Sequence, residues 1–119
     1  MSKIERIVQG EIKKIYDLLK GGLRVDHLYT QRQAMHESFL KVMDDETASI
    51  LEYSIYQVFS SMDVDYYDYH TICKMSAKVF QDSMRKNASP KEVAKNTIKE
   101  ELEVHFSLNN EFKRSNTNG

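Results

Sequence analysis

Asp63-x-Asp65-x-x-Asp68 is a tight group of hard oxygen ligands lying between two helical patterns, where a helix–loop–helix calcium loop would lie. That loop needs glycine at its sixth position and glutamate at its twelfth. Asp68 and Lys74 stand there instead, so the spacing predicts a capped interhelical turn. His70 and Cys73 are one helical turn apart and offer a nitrogen and a sulfur to a metal. A structural zinc site takes four ligands. No second cysteine exists, and His27, His36 and His105 are remote in sequence. No Glu-x-x-His occurs, which removes the di-iron bundle signature. The expectation is no metal and no cofactor.

Nucleophilic chemistry finds no better footing. The chain carries no nucleophile elbow and no phosphate-cradling glycine loop. Cys73 falls on the apolar face of a predicted helix, where burial raises a thiol pKa and leaves it inert. Only residues distant in sequence, brought together by folding, can make a catalytic site here. The sequence therefore predicts a protein that is not an enzyme.

Two charged regions point to binding instead. From Glu37 to Asp68 there are eight acidic residues and one lysine, a net charge of −7. Tyr53, Tyr56, Tyr66, Tyr67 and Tyr69 gather there with Asp63, Asp65 and Asp68. Tyrosine gives large amphipathic contact area at low entropic cost, and carboxylates orient a basic partner. Against this, the rings can simply close one end of a bundle with their hydroxyls in water. Between positions 74 and 99, Lys74, Lys78, Arg85, Lys86, Lys91, Lys95 and Lys99 outweigh Asp82 and Glu92, a net of +5. Lys91, Lys95 and Lys99 step by four and share one helix face, which is able to contact phosphates. Glu100, Glu101 and Glu103 follow at once, and no helix-turn-helix pair is recognisable. A solvated helix face is the plainer account of that row. Two opposite poles on one chain also permit a homo-oligomer.

The elements that must position these residues read as helices. Ser2 with Glu5 is a capping-box pattern. Ile4, Ile7, Val8, Ile12, Ile15, Leu18 and Leu19 then form one stripe, stopped by Gly21-Gly22. Val25, Leu28, Arg32, Met35, Phe39 and Val42 alternate steps of three and four. Arg32 on that seam must snorkel to the edge or meet a carboxylate. Asp44 or Asp45 caps a third helix carrying Ala48, Leu51, Ile55, Val58, Phe59 and Met62 inward. Asp65 is the expected cap of a fourth, with Tyr69, Ile72, Cys73, Ser76, Val79, Phe80 and Met84 inward and Asn87-Ala88 at its end. Ser89-Pro90-Lys91-Glu92 starts a fifth, with serine at N-cap and proline at N1. Its inner face is expected to use Val93, Ala94, Thr97, Ile98, Leu102, His105, Leu108 and Phe112.

Composition agrees with this reading. A chain of 119 residues, 40% hydrophobic and 29% charged, with one proline and four glycines, suits long helices rather than a turn-rich β fold. The expected architecture is all-α: a single compact, bundle-like domain of about five amphipathic helices over 1–112, with a short disordered tail over 113–119. A net charge of −1 gives no bulk pull toward nucleic acid or anionic lipid. The lone cysteine fits a reducing compartment, and no secretory h-region or membrane-spanning run is present, so a cytoplasmic location is expected. The functional expectation is a non-enzymatic protein-interaction module, an adaptor or inhibitory regulator, binding a basic protein through the acidic tyrosine surface. The alternative is a nucleic-acid-binding regulator using the basic face of helices four and five.

Overall fold

Short side chains open the helices by accepting hydrogen bonds from backbone N–H groups that the helix itself leaves unpaired. In the computed structural model, which describes residues 1–103, Ser2 Oγ accepts from Glu5 N at 3.1 Å and begins α1, Lys3–Lys20. A 3₁₀ turn, Val25–His27, leads into α2, Tyr29–Leu40. Asp44 accepts from Thr47 N at 2.8 Å at the head of α3, Asp45–Ser61. Asp68 accepts from Thr71 N at 2.8 Å at the head of α4, Tyr69–Lys86. A fifth helix, α5, occupies 90–103 and opens on Ser89, whose Oγ accepts from Lys91 N. The fold is all-α and bundle-like, and no strand occurs among the described residues. The expected tail over 113–119, and the placements of His105, Leu108 and Phe112, lie outside the described residues.

Two stops close their helices by left-handed backbone. After α1, Gly22 N donates to Leu19 O and Leu23 N to Leu18 O, the double closure of a Schellman motif. That motif needs a residue at positive φ, and Gly22 supplies it at 107°. Asn87 does the same after α4 at φ 50°, with Ala88 N bonded back to Ser83 O. Asparagine is among the few side chains that tolerate this region.

The core is where the helical periods meet. Ile12, Leu28, Met35, Phe39, Ile55 and Val79 are almost wholly excluded from solvent. Among α1 to α4 the most extensive contact is α3 with α4, followed by α2 with α3, then α1 with α2. The expected inner face of α3 is buried at every position from Ala48 to Met62 that was assigned to it. Buried serines on α3 and α4 cost little, because each bonds its own helix one turn back. Ser54 Oγ donates to Ile50 O, Ser76 Oγ to Ile72 O and Ser83 Oγ to Val79 O, all at 2.7 or 2.8 Å.

Four expectations are corrected. Asp65 does not cap α4. Its amide donates to Asp63 Oδ1 at 2.8 Å in an Asx turn, and the link runs three residues further before Asp68 takes the cap. The seam from Val25 to Val42 is not one helix: the 3₁₀ turn starts it and Val42 follows the end of α2. Side chains three apart align in either helix type, so Leu28 still enters the core from the turn. On α4, Met84 points outward, whereas Met75 and Ser83 are buried. The inner face follows Ile72, Met75, Ser76, Val79 and Ser83, with Tyr69, Cys73 and Phe80 on its flank. At the ends of the α1 stripe, Ile4 and Leu18 are also exposed.

Adjacent residues at the end of α2 separate core from surface. Phe39→Ala should destabilise the protein by about 3–5 kcal/mol, whereas Leu40→Ala should change stability by less than about 0.5 kcal/mol, both read from urea unfolding. Equal effects would contradict the packing described.

Candidate interaction surface

The link between α3 and α4 is fixed from below. Val64, an apolar residue between two aspartates, is buried at 6% exposure and plugs the turn into the core. Tyr66 N and Tyr67 N both donate to Asp63 O at 3.0 Å. From α1, Tyr16 passes through the core edge and its hydroxyl meets Tyr67 O at 3.3 Å and Val64 O at 3.5 Å. Lys20, at the end of α1, stands 4.0 Å from Asp65 Oδ1. The turn is therefore tied to its own hairpin and to α1.

That tie sorts the five tyrosines. Tyr66 alone projects freely, with 83% of its surface exposed. Tyr67 is half-buried against the core. Tyr69 turns toward α1: its hydroxyl donates to Gln9 O at 2.8 Å and its ring meets the Tyr16 ring edge-on at 6.0 Å. Lys13 Nζ caps both rings at 5.6 and 5.5 Å from their centroids. Burial, with the Cys73 thiol next, pushes the Tyr69 hydroxyl up to about 12. Tyr53 and Tyr56 lie on α3, Tyr56 in a cleft that Asp63, Val64 and Asp65 of the link also line. The Arg32 guanidinium stacks 3.9 Å from the Tyr56 centroid and 6.0 Å from that of Tyr53.

Of the two outcomes open to Arg32 on the seam, the edge of the core or a carboxylate, it meets a carboxylate. Its Nε bonds Glu52 Oε1 and its Nη2 bonds Oε2 at 3.3 Å, a fork between α2 and α3. The hydrogen bond to Glu52 raises the Arg32 pKa further. This site forms one wall of a cleft that also includes Tyr29, His36 and Glu37. His36 Nε2 lies 2.9 Å from Asp45 Oδ1. The cleft's arginine, histidine and inner glutamate are thus engaged in holding α2 to α3.

The three link aspartates divide between structure and surface. Asp63 closes the Asx turn and Asp68 caps α4, yet both side chains stay exposed, as does Asp65. Hydrogen bonds from the side chain and amide of Thr71 hold the Asp68 carboxyl below the ordinary aspartate range. It is a fixed negative charge. Among the described residues no three His, Cys, Asp or Glu side chains converge on a common metal position. Cys73 is half-buried on the flank of α4, and burial raises its thiol pKa.

Beside Tyr66 runs an apolar groove of about 470 Å³. Its lining comes from Met62 and the link residues Tyr66 and Tyr67, from Met75 on α4, and from Ile98 and Leu102 on α5. Asp68, Lys74 and Glu101 supply its charge. Sequence reasoning found the tyrosines and aspartates but missed the groove, because Met75 and Leu102 join it only through the pairing of α4 with α5. Tyr16 and Val64 were also missed. The available signal for Tyr16 was its place four residues after Ile12 and three before Leu19 on the α1 stripe.

The basic residues are less concerted. Lys74, Lys78, Arg85, Lys86, Lys91, Lys95 and Lys99 are all exposed. Lys78, however, pairs with Glu101 at 3.4 Å and Arg85 with Asp82 at 3.3 Å. Glu92, Glu100 and Glu103 are exposed on α5 with the lysine row. No helix among the described residues is long and apolar enough to cross a membrane. No family model matches the chain, and neither does any curated protein or solved structure.

Two measurements check this geometry. The raised Tyr69 pKa adds stability that is fully present below the ordinary tyrosine value near 10 and is lost as pH rises through about 12. Tyr69→Phe should therefore reduce stability at neutral pH by about 0.5–1.5 kcal/mol and flatten the alkaline limb of the stability profile. In a double-mutant cycle, Arg32→Met and Glu52→Gln should couple by about 0.5–3 kcal/mol, and additivity would show that the fork does not form in solution.

Proposed function

We propose that this chain is a small protein-interaction module, an adaptor or inhibitory regulator, that binds a basic protein at the α3–α4 end of the bundle. One observation carries the reading. Tyr66 stands almost fully exposed among three exposed aspartates, on a link anchored by Val64 and Tyr16. An exposed aromatic on an ordered turn loses little entropy on binding, and the surrounding carboxylates favour a cationic partner and speed its approach. Tyr67 and the adjoining apolar groove extend the contact. Asp63, Asp65 and Asp68 provide the charged surround, while Tyr53, Tyr56 and Tyr69 act as supports further back.

The alternative, a nucleic-acid-binding regulator on α4 and α5, is weakened by the carboxylates paired with and interleaved among its lysines. Phosphate contact favours cations that do not have to be released from such neighbours first.

The test is affinity capture of the tagged full-length chain from its native cells after nuclease treatment, followed by affinity measurement on the partner recovered. Tyr66→Ala should weaken binding by about tenfold or more, and Asp65→Asn by less, with the loss from Asp65→Asn fading at high salt. The combined Lys91→Glu, Lys95→Glu and Lys99→Glu variant should bind as the parent does. A partner lost with the lysines but kept with Tyr66→Ala, or released by nuclease alone, would overturn the reading.

A further inference from the structure

The groove beside Tyr66 is apolar and close to neutral. Met62, Tyr66, Tyr67, Met75, Ile98 and Leu102 form it. Its lining charges are Asp68, Lys74 and Glu101, and Glu101 is already paired with Lys78 at 3.4 Å. Apolar area, not charge, therefore selects what covers it. A volume of about 470 Å³ is room for a few apolar side chains. The flexible side chains of Met62 and Met75 adapt to the shape of whichever enter.

The chain brings such side chains to the groove's edge. Leu102 is part of the groove wall and the last described residue but one. Beyond residue 103 the sequence reads Val104-His105-Phe106-Ser107-Leu108-Asn109-Asn110-Glu111-Phe112. Residues 113–119 then carry no apolar side chain, so the apolar character of this stretch is confined to the part nearest the groove. Four residues of chain span at most about 13–14 Å, which keeps Phe106 within that distance of Leu102 in any backbone conformation. A tether this short presents the ring at an effective concentration of about millimolar or above. A free peptide or a second copy must exceed that concentration, or bind more tightly by the same factor, to take its place. Proximity thus names the occupant.

We infer that residues 104–112 of this chain cover the groove, with the Phe106 ring seated against Met62 and Met75 and with Leu108 and Phe112 extending the cover. The Tyr66 surface then has a built-in competitor, because a protein that uses the groove as well as Tyr66 must first displace Phe106. That competition rests on the interaction reading above; the contact itself does not.

The six methionines make a direct test possible. The full chain is labelled with ¹³C at the methionine methyls. In the parent protein the Met62 and Met75 methyls should show nuclear Overhauser contacts to a phenylalanine ring that vanish in Phe106→Ala. That variant should shift both methyl resonances and leave Met1, Met35, Met43 and Met84 in place, the unmoved Met35 reporting an intact core. Asn116→Ala, outside the covering stretch, should leave all six unchanged. Met62 and Met75 resonances indifferent to Phe106→Ala, or shifts centred on Met84, would overturn the inference. So would contacts that disappear on about tenfold dilution, since those would assign the groove to a second copy. A Tyr66-dependent partner recovered by capture should bind Phe106→Ala several-fold more tightly than the parent, and equal or weaker binding would overturn the competition. Two results separate this inference from the broader reading. Phe106-dependent methyl contacts, with partner capture indifferent to Tyr66→Ala, sustain the cover and sink the tyrosine surface. Methyls unmoved by Phe106→Ala, with a partner that still needs Tyr66, sink the cover and leave the module.

Discussion

The burial of Val64 and the reach of Tyr16 beneath it decide what the surface of this protein offers. A link of aspartates and tyrosines between two helices has every reason to stay solvated and mobile: its side chains are polar and its backbone is short of partners. One β-branched residue set between aspartates reverses that. With Val64 drawn into the core, Asp63 must sit at the turn, where its carbonyl receives two amides and its carboxylate a third. The Tyr16 hydroxyl then holds the carbonyls of Val64 and Tyr67 from the other side. Tyr66 is left outside because its neighbours on both sides are pinned.

The remaining helices are arranged so that this clamp has something to hold. Tyr16 can reach the link because α1 packs on α2 with Ile12 and Ile15 buried in the core, and its polar flank is tied to α2 by Ser38 Oγ donating to Glu11 Oε1 at 2.9 Å. Tyr69 closes the same end through Gln9 and the edge-on contact with Tyr16. On the far side of α3, the fork from Arg32 to Glu52 under Tyr56 joins α2 to α3. Two tyrosine-bearing networks therefore flank the hairpin, one holding the link and one holding the seam, and of the five tyrosines between Tyr53 and Tyr69 only Tyr66 belongs to neither.

Much of this was legible from residue spacing, and the parts that were not share a cause. Capping signals were plain: Ser2, Asp44 and Ser89 open their helices as their types require. Arg32 in an apolar seam calls for either the edge of the core or a carboxylate, and spacing alone does not single out Glu52. The sequence points to Asp65 as the cap because it precedes an apolar run, and the pattern alone does not show that the buried Val64 pulls the link inward and leaves Asp68 to open α4. Hydrophobicity favours Met84 over Ser83 for the inner face of α4, whereas close helix approach rewards the small residue that can bond a carbonyl of its own helix. The tyrosines were grouped by sequence proximity. Helical geometry separates them, since Tyr53 and Tyr56 lie on α3 and Tyr69 turns to α1. Local chemistry was readable one element at a time; what depends on two elements meeting, the groove above all, was not.

Amide hydrogen exchange across the link tests the central claim most directly, because a clamped turn and a solvated loop differ there and nowhere else so clearly. If Val64 and Tyr16 hold the link, the amides of Asp65, Tyr66 and Tyr67 are protected alongside the terminal turns of α3 and α4, and Tyr16→Phe speeds their exchange while the middle of α3 is unchanged. Exchange of those amides at the rate of an unstructured peptide in the parent protein would contradict the account, leaving Tyr66 exposed by mobility rather than by design of the turn.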